Sequence, residues 1–205
     1  MAQSYEGQPV RVTNRIGDKP APGQLRIIQA FLNTANPKVG REDFISPEVL
    51  KSWLVENSLL APGAHVTGVD VRETIAVRDA LYRLIDVCHT GKADPDAVKT
   101  LNRALRSAQM SVLFDDQGRS HIEPLASAVD GALGRLIAIV HDAMADGTWT
   151  RLKICRSDDC AWAFYDRSKN HSGAWCSITD CGNVAKARAY RARHSHAHDQ
   201  HPLQH

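Results

Sequence analysis

The chain has 205 residues, 43% of them hydrophobic and 23% charged, with a net charge of +2 at pH 7. Those values describe a soluble globular protein of one ordinary domain plus a small module. No apolar run approaches the roughly 18 residues of a membrane span, and AQSYEGQPVRV after Met1 is polar where a secretory signal is apolar, so a cytoplasmic chain without a membrane partner is expected.

Gly7, Pro9, Gly17, Pro20, Pro22 and Gly23 predict an irregular segment over 1–23, relieved only by a short Val10–Val12 strand. A helical domain follows over 24–149. Its first helix begins near Gln24, with Leu25, Ile28, Leu32 and Ala35 on one face, and Asn36-Pro37 stops it. Asn33 and Thr34 read as capping residues at its end. Ser46 as N-cap and Pro47 at the first position open a second helix within 43–57, striped by Val49, Leu50, Trp53 and Leu54. A third helix, over 70–89, places Val77, Leu81, Leu84, Ile85 and Cys88 on one face. Cys88 is read as a small core residue, and Arg72, Arg78 and Arg83 as solvated surface.

Asp94-Pro95 opens a fourth helix with Val98, Leu101 and Leu105 as its stripe. The segment 111–123, SVLF then DDQG then RSHIE, reads as a β-hairpin. His121 on its second strand is read as a hydrogen-bonded structural histidine. The last large helix runs over 124–146, where Val129, Leu133, Leu136, Ile137, Val140 and Met144 keep helical spacing, and residues 149–154 lead onward as a strand.

Chemistry concentrates in 150–193. Four of the five cysteines form two close pairs, Cys155-x4-Cys160 and Cys176-x4-Cys181, separated by fifteen residues. Each pair delivers two sulfurs from one turn, and the intervening loop returns the chain to the same point, as a tetrahedral thiolate site requires. Four thiolates select zinc or an iron–sulfur cluster. A saturated four-cysteine site leaves no open position, so a single structural zinc ion is expected. Two disulfides are the competing reading, suited to a secreted chain.

After Cys181-Gly182-Asn183 comes VAKARAYRARH, rich in helix formers. Residues 1–150 hold 16 Lys and Arg against 18 Asp and Glu, a balance of −2, whereas 151–193 hold 9 against 4, a balance of +5. Lys186, Arg188, Arg191 and Arg193 on that helix, with Arg167 and Lys169 from the inter-cysteine loop, are candidate contacts to DNA phosphates. Trp162, Phe164, Tyr165 and Trp175 are read as the module's small core. Residues 194–205, HSHAHDQHPLQH, form a His-rich tail expected to be disordered.

Cys-x4-Cys, the AWAFYDRSKN loop, WCS, and Cys-Gly-Asn running into a basic helix together resemble the CGNR zinc-finger family, whose members carry an N-terminal ABATE domain. The resemblance implies stress-related transcriptional regulators with the finger as DNA binder. It assigns Cys155, Cys160, Cys176 and Cys181 as metal ligands and matches Gly182 and Asn183 to the residues behind them. Val184 stands where the motif has arginine.

The resulting expectation is an α+β, mainly α chain: a helical N-terminal domain with a β-hairpin, then a small treble-clef-like four-cysteine zinc module. Its expected partner is double-stranded DNA, bound by a homodimer whose N-terminal domain dimerises or senses a small-molecule effector. A protein-interaction adaptor and a thiol or metal redox sensor are the alternatives. No Gly-rich phosphate loop, HExxH or deaminase signature is present, and no enzymatic activity is expected.

Overall fold

The computed structural model describes residues 18–195, so the expected strand at Val10–Val12 and the His-rich tail from 196 onward lie outside the described residues. Among the described residues the chain is mainly α, with six α-helices and three two-stranded antiparallel sheets. In order these are α1 (Leu25–Leu32), β1 (Ala35–Asn36), β2 (Arg41–Glu42), α2 (Pro47–Glu56), α3 (Gly68–Thr90), α4 (Pro95–Ser107), β3 (Met110–Phe114), β4 (Ser120–Pro124), α5 (Ala128–Ala145), β5 (Leu152–Ile154), β6 (Ala163–Tyr165) and α6 (Asn183–Ser195).

The helix starts follow their caps. Ser46, Thr67 and Asp94 each accept a hydrogen bond from a backbone N–H in the first turn, and Thr67 and Asp70 form a reciprocal capping box at α3. Helices α1 to α5 each bury an apolar stripe. Phe31, Phe44 and Trp53 meet at the centre with ring centroids 5.4–6.0 Å apart. Leu81, Ile85, Leu136 and Val140 extend this core along α3 and α5.

Several side chains depart from the sequence expectation, among them Val98, which is 45% exposed rather than part of a buried stripe. Arg78 is only 3% exposed rather than solvated. Its guanidinium donates to both Glu42 carboxylate oxygens at 2.7 and 2.6 Å, to Asp79 and to Thr34 Oγ1, and lies over the Phe44 ring. The β1–β2 hairpin supplies Glu42, and sequence spacing on α3 carries no trace of it. Cys88 is exposed rather than a core residue, as are its neighbours His89 and Thr90. Met144 is likewise 46% exposed near the end of α5.

Asn33 gives the correction with the most structural consequence. Its side chain does not cap α1; it pairs with a strand 130 residues away. Nδ2 donates to the Ala163 carbonyl at 3.0 Å, and Oδ1 accepts from the Ala163 N–H at 2.7 Å. Gln29, one turn earlier and fully buried, donates to the carbonyls of Ala163 and Lys19 and accepts from the Ala21 N–H. The open edge of β6 thus finds its hydrogen bonds in two amide side chains at Ala163 and in the Lys19 carbonyl, which accepts from the Tyr165 N–H, as buried backbone groups require. Trp149, Leu152, Ala163 and Tyr165 belong to the same hydrophobic cluster as α1, α3 and α5.

Replacing Asn33 with Ala removes both hydrogen bonds and leaves the Ala163 N–H buried without a partner. The expected loss is about 2–3 kcal/mol of unfolding free energy, read as a lower urea midpoint by far-UV circular dichroism.

Candidate metal centre and basic helix

β5 and β6 pair in the register Leu152 to Tyr165, Lys153 to Phe164 and Ile154 to Ala163. The loop that joins them holds the first cysteine pair. The Cys155 N–H donates to the Trp162 carbonyl at 2.9 Å, and the Cys160 N–H to the Ser157 carbonyl at 3.1 Å, so the loop is a tight turn with both sulfurs on its inside. Of the second pair, Cys181 lies in a π-helical turn, Ile178–Gly182, that runs directly into α6, and Cys176 precedes that turn. Ser177 opens this turn: its Oγ accepts from the Asp180 N–H and its carbonyl from the Gly182 N–H. Gly182 is buried against Trp175, whereas Asn183 is exposed at the first position of α6.

All four Sγ atoms lie within 4.8 Å of one another. The Cys160–Cys176 and Cys176–Cys181 separations are both 3.7 Å. Zinc bound to four sulfurs at about 2.3 Å needs tetrahedral edges of about 3.8 Å, whereas a disulfide needs about 2.05 Å. The donor set and its spacing therefore fit a thiolate-bound metal, and all five cysteines are free. Cys155 is buried and the other three are half-buried. Hydrogen bonds from the Cys160 and Cys176 thiols pull Cys155 far below the usual thiol range. That thiolate in turn pushes Cys160 up to about 11 and Cys176 higher still. One negative charge among crowded thiols suppresses the next, and a divalent cation relieves that repulsion.

The inter-cysteine loop is organised by Asp166, a residue that spacing alone did not single out. Its carboxylate accepts from Lys153 Nζ at 2.7 Å and from the Ser168 and Gly173 N–H groups at 3.0 and 2.8 Å. A Cβ on Gly173 would sit 2.6 Å from Asp166 Oδ1, so only glycine permits this approach. Burial by itself raises the Asp166 carboxyl, but Lys153 and the two N–H donors outweigh it and hold the group well below the usual carboxylate range. The N-terminal body grips the same module elsewhere: Lys38 Nζ donates to the Ser157 carbonyl, and the Arg41 guanidinium lies over Trp162 at 5.3 Å.

The proposed DNA contacts occupy different settings. Lys169, Lys186 and Arg191 are exposed, and Arg191 Nε reaches only its own helix, at the Ala187 carbonyl. Arg167 is exposed and donates to the Pro20 carbonyl at 2.9 Å. Arg188 differs from these: its two arms bind Asp158 at 2.6 Å and Asp159 at 2.8 Å, joining α6 to the first cysteine loop. Arg193 falls within α6, and its side chain lies outside the described residues. Val184, in the place of the motif arginine, is 44% exposed. Phe164 and Tyr165 are buried, Tyr165 within the helical body's core rather than a separate core of the module, and Trp162 and Trp175 are partly buried.

Two family models match the chain. One, described as a "putative stress-induced transcription regulator" and named ABATE, covers residues 25–167. The chain belongs to the ABATE family. The second, the CGNR zinc finger, covers residues 151–194 and contains all four clustered cysteines. No curated protein matches the chain. The ABATE match continues past β5, the first cysteine pair and β6, which is the stretch that Asn33 and Gln29 bind and whose side chains join the body's core. This ABATE protein thus shares one hairpin between its helical body and its zinc finger.

The depressed Asp166 carboxyl contributes stability that is complete above the unfolded pKa near 3.9 and is lost as pH falls through the lower folded value. Asp166→Asn should cost about 3 kcal/mol at pH 7, as for a broken buried ion pair. The gap between wild type and variant in urea denaturation should narrow steadily below about pH 4.

Proposed function

We propose that this ABATE protein is a cytoplasmic DNA-binding transcriptional regulator. In this reading Cys155, Cys160, Cys176 and Cys181 hold one structural zinc ion. Residues 24–149 form the regulatory body, which dimerises or senses an effector, and residues 150–193 form the DNA-binding finger. The observation that carries the reading is α6: an exposed basic helix that springs from the turn bearing the fourth cysteine, in a family described as transcription regulators.

Zinc supplies a cross-link that fixes the Cys181 turn against the first cysteine loop, and it adds no reactive position once four thiolates surround it. Four thiolates on a divalent ion add −2 to the +5 of residues 151–193, leaving the loaded finger near +3. That charge suits a few phosphate contacts rather than a heavily cationic arm. Lys186, Arg191 and Arg193 on α6, with Arg167 and Lys169 on the loop, would make these contacts. Arg188 would act first as a staple, because its guanidinium already satisfies Asp158 and Asp159. So few contacts give useful affinity only when two fingers engage one DNA, which favours a dimer.

The half-exposure of Cys160, Cys176 and Cys181 supports a second, compatible reading as a thiol redox sensor. Peroxide would then release zinc at low dose and unfold the finger.

Metal analysis of the purified chain should return one zinc per protomer, and Cys181→Ser should lower that content and reduce the helicity of α6. In fluorescence anisotropy against pooled genomic duplexes, zinc-loaded protein should bind with affinity that falls steeply with salt. A Lys186→Glu, Arg191→Glu double variant should bind at least about tenfold more weakly with a shallower salt slope. Absence of binding at low salt, with zinc confirmed in place, defeats the DNA reading.

A further inference from the structure

The β3–β4 hairpin docks on the body through its base and β4. Gly134 on α5 lets it come close: a Cβ there would lie 2.7 Å from the Ala108 Cβ and 2.8 Å from the Pro124 Cβ. β4 runs against α5 and β3 lies outside it. The register pairs Met110 with Pro124, Val112 with Ile122 and Phe114 with Ser120, which puts Met110, Val112, Phe114 and Ile122 on one face. Beyond the base that face meets water: Val112 is 60% and Phe114 71% exposed.

The ladder also fixes which edge is open. Hydrogen bonds run from the Asp115 N–H to the Arg119 carbonyl and from the Leu125 N–H to the Gln109 carbonyl. By antiparallel alternation, residues 111 and 113 then bond to β4, while the N–H and C=O groups of Met110, Val112 and Phe114 point to the outer edge. The two edges are not alike. β4 carries His121 and Glu123, with Arg119 just before it, charges of the kind that blunt an edge against pairing; β3, reading MSVLF, carries none. An uncharged apolar strand at the edge of a two-stranded ribbon is both marginally stable and a template for another strand.

We propose that β3 is the homodimer interface, pairing antiparallel with β3 of a second copy about a two-fold axis at Val112. This rests on the dimer reading above and names its surface. The two-fold sets Val112 opposite Val112 of the partner subunit and Met110 opposite Phe114 of the partner subunit. A two-fold interface must be self-complementary. Here every facing pair on the exposed face is apolar, and no like charges meet. The product is a four-stranded sheet with an unbroken Ile122–Val112 row across the axis, in which the facing apolar side chains shield one another along their flanks.

The test is multi-angle light scattering of zinc-loaded full-length protein without DNA, so its outcome stands apart from that of the DNA experiment. The expected mass is twice the 22.6 kDa chain at micromolar concentration. Val112→Lys with Phe114→Lys should halve it while leaving far-UV circular dichroism and zinc content unchanged, because both side chains are exposed. His121→Glu, on the charged edge, should leave the dimer intact. A wild-type monomer, a dimer that survives the double lysine variant, or a dimer broken only by His121→Glu would each overturn the assignment.

Discussion

Two buried amide side chains, Gln29 on α1 and Asn33 just past its end, tie the helical body to the hairpin of the zinc finger. Asn33 presents a donor and an acceptor to Ala163 as a neighbouring strand would, and Gln29 fills the remaining positions on Ala163, Lys19 and Ala21. Both amides are buried, so each unmade bond would carry the full desolvation cost of its group. The strand they hold returns the chain from Cys160, and its partner β5 leads into Cys155. The helical body therefore fixes the position of the first cysteine pair, and the metal-site geometry is an extension of core packing.

That arrangement explains why a module of about forty residues is not on its own. Small metal modules usually lean on the ion for stability, since their cores are too small to fold alone. Here Leu152, Ala163 and Tyr165 already lie in a core built by α1, α3 and α5. Lys38 on Ser157 and Arg41 over Trp162 add grips from the β1–β2 hairpin, which Glu42 anchors through the buried Arg78. The second cysteine pair and α6 hang farther out, joined to the first by the sulfurs and by Arg188 on Asp158 and Asp159. Exposed ion pairs of that kind contribute little stability by themselves. Their role is orientation: they set which face of α6 turns inward and leave Lys186 and Arg191 to solvent.

Most helix positions, the Ser46 and Asp94 caps, the β3–β4 hairpin and the cysteine cluster were legible in sequence, because each rests on local chemistry. An N-cap needs one side chain within a turn, an apolar stripe needs a repeat, and a Cys-x4-Cys turn brings its own sulfurs together. The residues misread or passed over share the opposite property. Arg78, Asn33 and Asp166 owe their roles to partners far along the chain or to one particular loop approach. Polar residues of this type look like surface until the partner is known.

The order of residues alone was enough to establish a mainly helical chain, the convergence of four thiols, and a basic helix behind them. It carried enough of the ABATE and CGNR patterns for the family to be recognised. Three features waited on the folded molecule: the finger's hairpin belongs to the helical core, Arg188 is tied down while Lys186 and Arg191 stay exposed, and β3 keeps an open, uncharged edge. The physical reason is range. Propensity, capping and spacing act within a few residues, whereas burial and pairing of polar groups depend on which distant segments the fold sets side by side.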